Sequence, residues 1–437
     1  MAKAKEKMEA LVPAEEQPYT VPANWRWCYI RAGYNVTSSK RIHKDDWKTE
    51  GIPFYRTREL VKLSEYGYVD NELFISPQLY EKCKREYGVP RINDLLISGV
   101  GTIGIPYVVK DETPFYFKDG NVIWLQNKGL FYSQYIFYLY KSHYMQNQVY
   151  GMSSGTTVDT YTIINANSTV IPAPPIAEQQ RIVDRIESLF SKLDEAKEKA
   201  QAVVDGYEDR KAAILHKAFI GDLTEKWRKE NKVSNQWRTV CFDEVADIRS
   251  NLVDPSEYQG YPHIAPDNIE KKTGRLLEYR TVAEDKVKSG KHLFHSGQIL
   301  YSKIRPYLSK VIIVDFDGLC SADMYPIDAK ENMLLRFLWY YMLSDDFLLQ
   351  ASSAGSRSVL PKINQKELSG LLVRTTIEKE QIEVVRILDT LLQSIQNTKD
   401  IAERTIESID EMKKSILAKA FRGELGTNDP SEEPVDL

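Results

Sequence analysis

A long helical pattern occurs twice in this chain, with an offset of 202 residues between the two copies. Segment 209–223, DRKAAILHKAFIGDL, returns as segment 411–425, EMKKSILAKAFRGEL, and eight of the thirteen positions from 211 to 223 are identical. The offset holds without a gap back to the EQ pairs at 178–179 and 380–381. A duplication of this length calls for an architecture of two similar halves, so it constrains the fold more than any single motif does.

Both copies space their apolar residues alternately four and three positions apart, which is typical of the seam of a coiled coil. Each helix is expected to contain about 42 residues, or roughly 60 Å at 1.5 Å per residue. Gly221 and Gly423 suit the helix ends. Two unrelated amphipathic helices, each packing on its own domain, are the alternative interpretation. The predicted seam residues are Ile182, Ile186, Leu189, Leu193, Leu388, Leu391, Ile395 and Ile409.

The regions before the two helices also correspond, more loosely and with gaps; NWRWCYI at 24–30, for example, matches QWRTVCF at 236–242. Both regions contain short strand-like runs and one helical aromatic stretch, which predicts mixed α+β globules. The acidic, proline-containing tail is predicted to be disordered. The predicted order is a globular region at 1–175, a long helix at 176–222, a second globular region at 223–375, a second long helix at 376–426 and the tail at 427–437.

The composition is that of a soluble globular protein, with 42% hydrophobic and 27% charged residues and a net charge of −4. No apolar run approaches the roughly 18 residues of a membrane span, and the N-terminal stretch is too polar for a secretory signal. The four cysteines are dispersed, which argues against a structural zinc site and favours a reducing compartment. We therefore expect a cytoplasmic protein without a membrane partner. Because neither globular region is strongly basic, any DNA contact must come from local patches.

Residues 99–104, GVGTIG, form a G-x-G-x-x-G after an apolar run. A nucleotide or S-adenosylmethionine loop of this kind needs a following helix, whose free N–H groups face the ligand. The next residues, IPYVV at 105–109, are instead typical of a strand. At this place the second copy has Lys303 and Arg305 where the first has glycines. The sequence therefore predicts a strand–turn–strand whose turn differs between the copies.

Four motifs together identify a family. They are LVPAEEQPYTVPANWRW at 11–27, IPAPPIAEQQRIVDRIESLFSKLD at 171–194, ILHKAFIGDL at 214–223 and ILAKAFRGEL at 416–425. In this order and in duplicate, they resemble the specificity subunit of Type I DNA restriction–modification systems, over nearly the whole chain. One departure is the start of the second helix, where TTIEKEQ at 375–381 replaces PP-x-x-E-Q and puts the first residue of that helix in doubt.

The resemblance implies two target-recognition domains that alternate with two long helices, which pair as an antiparallel coiled coil. Each domain would read one half of a split, asymmetric site in double-stranded DNA, and the helices would set the spacer. The subunit itself would be non-catalytic and bind no cofactor. Two modification subunits would dock on it and methylate adenine with S-adenosylmethionine, and restriction subunits would join them for cleavage that uses ATP and Mg²⁺.

Polar side chains in the variable turns are the candidate DNA contacts. Arginine can bind guanine edges and asparagine can bind adenine, whereas lysine and hydroxyl groups suit phosphates. Solvated basic hairpins and ordinary turn caps are the alternative interpretations of the same residues. The candidates are Arg56, Thr57, Arg58, Ser98, Thr102, Ser154, Thr156, Thr157, Asn268, Lys271, Ser302, Lys303, Arg305, Tyr307, Lys310, Ser356 and Arg357.

Two other functions fit parts of the sequence. Asp267, Glu284 and Lys286 match the residue types of a Mg²⁺-dependent nuclease, although the first copy has no equivalent set. A methyltransferase is disfavoured because the chain has no Asn/Asp-Pro-Pro-aromatic tetrapeptide. A coiled-coil scaffold that holds two enzymes without binding DNA is the third possibility.

These assignments give a first prediction. Replacing Lys303 by alanine should weaken binding to all DNA sequences and flatten its salt dependence, because lysine contacts phosphates. Replacing Arg305 by alanine should instead relax specificity in one half-site. Binding assays on specific and scrambled duplexes test this, and equal losses on both duplexes for Arg305→Ala would exclude a base-reading role.

Overall fold

The computed structural model describes residues 10–153, 158–354 and 361–437. The chain divides into two compact units. The first unit comprises residues 1–199 and 405–437, and the second comprises residues 200–404. Each unit thus combines one globular region with parts of both long helices.

The globular part of the first unit contains six helices and nine strands within the described residues. The helices are α1 (Ile30–Gly33), α2 (Thr57–Tyr66), α3 (Pro77–Tyr87), α4 (Ser133–Tyr140), α5 (His143–Gly151) and α6 (Ile163–Ser168). The strands are β1 (Arg26–Tyr29), β2 (Tyr34–Thr37), β3 (Ile52–Tyr55), β4 (Phe74–Ile75), β5 (Leu95–Ser98), β6 (Pro106–Val108), β7 (Tyr116–Phe117), β8 (Val122–Asn127) and β9 (Val170–Ala173). The first long helical segment follows as α7 (Ile176–Asp205) and α8 (Tyr207–Phe219).

The second globular region repeats this plan and leads into the second long helix. Its helices are α9 (Glu225–Glu230), α10 (Phe242–Val245), α11 (Leu335–Met342), α12 (Asp345–Ala354) and α13 (Gln365–Ser369), followed by the long helix α14 (Glu378–Ala420). Its strands are β10 (Arg238–Cys241), β11 (Ala246–Ile248), β12 (Leu252–Val253), β13 (Pro262–Ile264), β14 (Arg280–Thr281), β15 (Lys291–Phe294), β16 (Ile299–Ser302), β17 (Val311–Ile313), β18 (Gly318–Cys320), β19 (Met324–Ala329) and β20 (Leu372–Thr375). Helix α14 is the longest of the described elements and matches the predicted length.

Equivalent sheets occur in the two globular regions, which confirms the α+β prediction. The four-stranded antiparallel sheet has the order β2-β8-β5-β6 in the first unit and β11-β19-β16-β17 in the second. A second sheet contains a parallel pair in each unit, β3 with β7 and β13 with β18. A two-stranded pair, β1 with β9 and β10 with β20, joins the start of each region to its end. In the two four-stranded sheets, the central strands β5 and β16 are buried along their whole length, as their apolar runs require.

The long helices supply apolar side chains to both cores. In the first unit Ile182 and Ile186 of α7 and Phe421, just past α14, lie in the main core. In the second unit Phe219 at the end of α8 and Leu388 of α14 do the same. The predicted seam residues Ile182, Ile186 and Leu388 therefore pack on a globular domain, as the alternative interpretation had it. Leu189, Leu193, Leu391 and Ile395 are half-buried and Ile409 is buried.

The contacts between the two long helices follow an antiparallel order, which confirms the predicted antiparallel pairing. In the first unit Lys413 bonds to Asp194 at 2.5 Å, and Lys197 bonds to Asp410 at 2.9 Å. In the second unit the Tyr207 hydroxyl donates to Gln396 at 2.6 Å. As residue numbers rise on one helix they fall on the other.

The first long helix is interrupted, whereas the sequence predicted one continuous helix over 176–222. Gly206 separates α7 from α8 with φ −81° and ψ 5°. Glycine is about 1 kcal/mol worse than alanine inside a helix, and the second copy has Ser408 at this place and stays continuous. Arg210 donates to the Val203 carbonyl at 3.1 Å across the break. An arginine side chain thus satisfies a backbone carbonyl at the interruption.

Tight glycine turns end both helical repeats, as predicted. Gly221 and Gly423 have φ of +88° and +75°, a region that favours glycine. An added Cβ would lie 2.8 Å from the Trp237 indole at the first site and 2.4 Å from Pro22 at the second. Each glycine is therefore required by both the backbone conformation and the close approach of a neighbouring ring.

The C-terminal tail packs on the first unit, which differs from the disorder predicted for 427–437. Arg181 forms a bidentate pair with Glu432 at 2.9 and 2.8 Å and also donates to the Thr427 carbonyl at 3.0 Å. The side-chain amide of Asn24 donates to the Asp429 carbonyl at 2.9 Å. The acidic composition that suggested disorder instead supplies partners for groups on α7 and the N-terminal segment. None of the helices in the described residues is long and apolar enough to cross a membrane.

A buried glutamate lies at the start of each long helix. Glu178 accepts a hydrogen bond from the Trp25 indole at 2.9 Å. Its counterpart Glu380 accepts from Trp237 at 2.8 Å and from Thr224 at 2.6 Å, and it pairs with Arg228. Burial and hydrogen bonding oppose each other at both sites. Burial prevails at Glu178 and raises its pKa, whereas at Glu380 the hydrogen bonds outweigh burial and the pKa lies below its usual value.

The glutamine that follows each glutamate orients the aromatic helix of its domain. The Gln179 side-chain oxygen accepts from the Tyr132 amide at 2.8 Å, and Gln381 accepts from the Leu334 amide at 2.8 Å. Tyr132 and Leu334 immediately precede α4 and α11. The repeated EQ pair therefore holds a tryptophan and a helix start against the long helix.

The opposite pKa shifts of the two glutamates give a prediction for stability. Glu380→Gln should destabilise the second unit by about 2 kcal/mol at pH 7, because a buried charged acceptor is lost. A lowered folded-state pKa means that this contribution is present above the unfolded pKa and fades as the pH falls through the folded value. The raised pKa of Glu178 has the reverse sign, so Glu178→Gln should be neutral or stabilising at pH 7.

Urea unfolding of the full chain at pH 7 and pH 4 tests this pair of variants. The loss for Glu380→Gln should be smaller at pH 4 than at pH 7. Equal losses for both variants at pH 7 would contradict the assignment of the two shifts.

Candidate nucleic-acid interface

The two variable turns connect equivalent strands, β5 to β6 and β16 to β17. In the first, the Ser98 amide donates to the Ile105 carbonyl at 3.0 Å, and the Ser98 hydroxyl accepts from the Ile105 amide at 2.8 Å. In the second, the Ser302 amide donates to the Lys310 carbonyl at 3.0 Å, and the Ser302 hydroxyl donates to the Ile304 carbonyl at 3.1 Å. A strand follows each turn, which confirms that the G-x-G-x-x-G is not a strand-to-helix junction.

The prediction that Ser98 and Ser302 contact DNA at the surface is wrong. Their exposed fractions are 0% and 2%, and both hydroxyl groups are engaged inside the turn. The two serines close the turns from within, because a hydroxyl at the end of a buried strand must find a partner in the protein. Their shared position in the two copies is a matter of folding.

The first turn is fixed by two flanking segments. The Gly99 amide donates to the Asn121 carbonyl at 2.8 Å, and the Tyr161 amide donates back to the Gly99 carbonyl at 2.8 Å. The Gly101 amide donates to the Asp159 carbonyl at 3.1 Å. Three segments that are distant in sequence therefore meet at one place on the first unit.

The second turn has the same three bonds at equivalent positions. The Lys303 amide donates to the Asp323 carbonyl at 2.9 Å, and the Ile363 amide donates to the Lys303 carbonyl at 2.9 Å. The Arg305 amide donates to the Pro361 carbonyl at 2.8 Å. We call this arrangement of backbone bonds around each turn the turn frame.

The turn frame is common to both units, but the side chains that it displays are different. Isolated bridges add Val100 with Thr160 in the first unit and Ile304 with Lys362 in the second. The resulting pairs, first unit before second, are Gly99 and Lys303, Gly101 and Arg305, Asn121 and Asp323, and Thr160 and Lys362.

The predicted arginine segment of the first unit lies beside its turn frame. The Thr57 hydroxyl, at the start of α2, donates to the Asn121 carbonyl at 3.1 Å. Arg56 forms two bonds to the buried Glu59 at 3.0 and 2.7 Å, and Arg58 pairs with Glu59 and Glu72. Burial acts to raise the pKa of Glu59, but its bonds to the two arginines outweigh it and lower the pKa. Carboxylates in the same segment thus largely neutralise both predicted cations.

The predicted polar segment of the second unit lies beside its turn as well. The Lys310 ammonium donates to the Pro266 carbonyl at 2.6 Å and lies 3.5 Å from Asp267. The Asn268 side chain accepts from the Ala265 amide at 2.8 Å and donates to the Glu278 carbonyl at 2.7 Å. Asn268 is therefore a turn cap. Lys310, with 15% of its side chain exposed, makes a bond that stabilises the fold. The turn-cap alternative therefore applies to Asn268, whereas Lys310 links the second turn to the segment at Pro266.

Four predicted contacts remain exposed at the two turns. Thr102 lies on the first turn; Arg305, at φ +48° and ψ +60°, lies with Tyr307 on the tip of the second, and Lys271 lies on the neighbouring segment. The Arg305 side chain has no hydrogen bond or ion pair to any described residue. Lys303 places its ammonium 4.9 Å from the centre of the Tyr325 ring and is partly exposed. These side chains are available to a ligand.

Five further candidates, in segments 154–157 and 355–360, lie outside the described residues. In sequence, those segments end just before the frame segments Asp159–Tyr161 and Pro361–Ile363. The five candidates are Ser154, Thr156, Thr157, Ser356 and Arg357.

The sequence prediction missed four residues that lie around the two turns, namely Asn121, Asp323, Thr160 and Lys362. Each comes from a strand or loop far from its turn in sequence, and only the folded sheet brings it there. Comparison of the two copies at these positions was the one available signal, and the gaps in that alignment obscured it.

The nuclease alternative gains no support from the geometry. Glu284 accepts from the Thr281 amide at 2.8 Å and from its hydroxyl at 2.9 Å, and Asp267 lies near Lys310. Within residues 10–153, 158–354 and 361–437, no group of three His, Cys, Asp or Glu side chains could hold a metal ion.

A family model described as Type I restriction modification DNA specificity domain matches this chain twice, at residues 34–204 and 234–406. The chain belongs to this family. Each match contains one turn frame and the first part of one copy of the helical repeat, so the two matches follow the duplication. The resemblance that the sequence motifs indicated is confirmed.

Named relatives agree with this assignment. The chain is 39% identical over 289 residues to the Type I restriction enzyme EcoDI specificity subunit of Escherichia coli, a match that covers 61% of this chain and 64% of that protein. It is 24% identical over 336 residues to the EcoKI specificity subunit of Escherichia coli strain K12, covering 71% of this chain and 69% of that protein. The match to the EcoDI subunit thus spans less than two thirds of that relative.

A solved structure has the same fold. The crystal structure of the HsdS subunit from Thermoanaerobacter tengcongensis superposes with a TM-score of 0.67 at 18% identity. The match covers 94% of this chain and 99% of that one. At this identity the similarity concerns the fold.

The left-handed backbone at Arg305 gives a prediction for stability. Non-glycine residues cost roughly 1 kcal/mol in this region, so Arg305→Gly should be more stable than Arg305→Ala by about that amount. Tyr307 is exposed on the same turn and lacks a positive φ, so there the alanine variant should be the more stable one. Urea unfolding of the four variants tests this reversal, and the same order at both positions would contradict it.

Proposed function

We propose that this chain is the DNA-recognition subunit of a Type I restriction–modification enzyme, in which each unit reads one half of an asymmetric, bipartite site in duplex DNA. The observation that supports this most directly is the repeated turn frame. One backbone arrangement presents Gly99, Gly101 and Asn121 in the first unit and Lys303, Arg305 and Asp323 in the second. Equivalent positions that carry different hydrogen-bonding groups suit two different half-sites.

The chemistry of the second turn fits groove contacts. Arg305 is exposed at the tip and can form a bidentate bond to guanine, whereas Asp323 can accept from the amino group of cytosine. Asn121, at the equivalent place in the first unit, can bind adenine in bidentate fashion. The two turns therefore differ in the bases that they suit.

Family membership supports the remaining parts of the proposal. The antiparallel helices set the spacer between the half-sites and dock two adenine-methylating modification subunits, through which restriction subunits join. S-adenosylmethionine, ATP and Mg²⁺ act on those partners, and this chain is a non-catalytic component in the cytoplasm.

Mapping adenine methylation across the genome of a host that expresses this chain with its neighbouring modification subunit tests the proposal. We expect a split, asymmetric motif with a fixed spacer that is absent from a host lacking this chain. Arg305→Ala should relax one half of the motif and leave the other half and the spacer unchanged.

Co-purification of the two subunits serves as the control for assembly. If the complex forms and no new motif is methylated, the chain acts as a scaffold and the proposal fails. If Arg305→Ala alters both halves equally, Arg305 is not a base-reading residue.

A further inference from the structure

Lysine side chains lie near a single carboxylate, Asp323, at the turn frame of the second unit. The Lys362 ammonium lies 3.3 Å from Asp323, and the Lys303 ammonium lies over the Tyr325 ring. Burial lowers the pKa of Lys303, and the charge of Lys362 lowers it further, while Asp323 acts in the opposite direction. Burial also lowers the pKa of Lys291, and the negative charge of Asp323 again partly offsets this lowering. We call Lys291, Lys303 and Lys362 the lysine cluster.

The cluster carries more positive charge than its surroundings neutralise. Asp323 is the one carboxylate that the described structure places against it, and Lys362 forms the ion pair. The Lys291 ammonium donates to the Ser289 carbonyl at 3.0 Å and hydroxyl at 2.7 Å, which are neutral acceptors. His292 lies near Lys303, and burial followed by that lysine's charge lowers the pKa of its imidazole. Such a site favours an anion, because partly buried like charges repel one another.

The first unit displays neutral groups at the same positions of the turn frame. Gly99 stands in place of Lys303, Thr160 in place of Lys362, and Asn121 in place of Asp323. Its nearest predicted cations, Arg56 and Arg58, are paired with Glu59 and Glu72. The backbone geometry is repeated, but the electrostatics is not.

We propose that Lys303 and Lys362 hold a backbone phosphate of the half-site read by the second unit, whereas the first unit makes the equivalent contact without charge. Lysine is a point charge that suits phosphate oxygens, and phosphate contacts set the position of the protein on the duplex without reading sequence. This inference rests on the proposed function and deepens it. The salt dependence of binding would then come mainly from the second half-site.

Salt dependence of DNA binding tests this, with the complex of this chain and its modification subunits on a duplex that contains the mapped site. Each phosphate contact adds about 0.9 to the magnitude of the slope of log binding constant against log salt. Lys362→Gln should therefore reduce the slope by about 0.9, and the double variant with Lys303→Gln by about 1.8. Lys362 is exposed and engaged only with Asp323 among the described residues, so its variant should fold normally.

Lys330→Gln is the matched control. Lys330 directly follows β19 and lies 3.3 Å from Asp247, whereas Asp323 directly precedes the same strand. Six residues of strand separate the two by roughly 20 Å. The control removes one lysine charge from the same unit but should leave the slope unchanged.

Ethylation interference on the same duplex locates the phosphates. We expect the Lys303/Lys362 double variant to lose interference at phosphates of one half-site and to keep it in the other. An unchanged slope for both cluster variants, or an equal loss in both half-sites, would overturn the inference while leaving site-specific binding intact. If the unmodified complex does not distinguish its mapped site from scrambled DNA, the proposed function itself fails.

Discussion

The buried bond between a glutamate and a tryptophan at the start of each long helix is the interaction on which each unit depends. Glu178 with Trp25 and Glu380 with Trp237 fix the first turn of a helix against the first strand of its domain. A buried carboxylate must be fully hydrogen-bonded, so its surroundings are closely specified. The neighbouring glutamine, Gln179 or Gln381, then holds the start of the aromatic helix against the long helix. This explains why the EQ pair is identical in the two copies of the helix.

Recognition and folding are separated within each turn. Ser98 and Ser302 are alike because they face inward and satisfy backbone groups, whereas the next residue, Gly99 or Lys303, uses only its backbone in the frame. A position held through its amide and carbonyl tolerates a change of side chain. The frame therefore allows different chemistry at its surface without a change of fold.

Much of the fold could be predicted from the sequence, because the duplication, heptad spacing and terminal glycines are local patterns. The interruption at Gly206 was missed since the heptads continue through it, and the packed tail was missed since its acidic residues find partners such as Arg181 only in the folded chain. The site was harder. The sequence identified the turns, but burial of Ser98 and the capping bonds of Asn268 depend on tertiary contacts.

The charges illustrate why composition says little about such a protein. The net charge of −4 suggests no affinity for DNA, and the arginine segment of the first unit is neutralised by Glu59 and Glu72. In the second unit the lysines come from separate segments of the chain and converge only when the sheet forms, so no single basic run contains them. Electrostatic attraction to DNA acts over about 8 Å at physiological salt. Under the proposed function, the charge that matters for DNA binding is the charge gathered at the turn frame, which is a property of the fold.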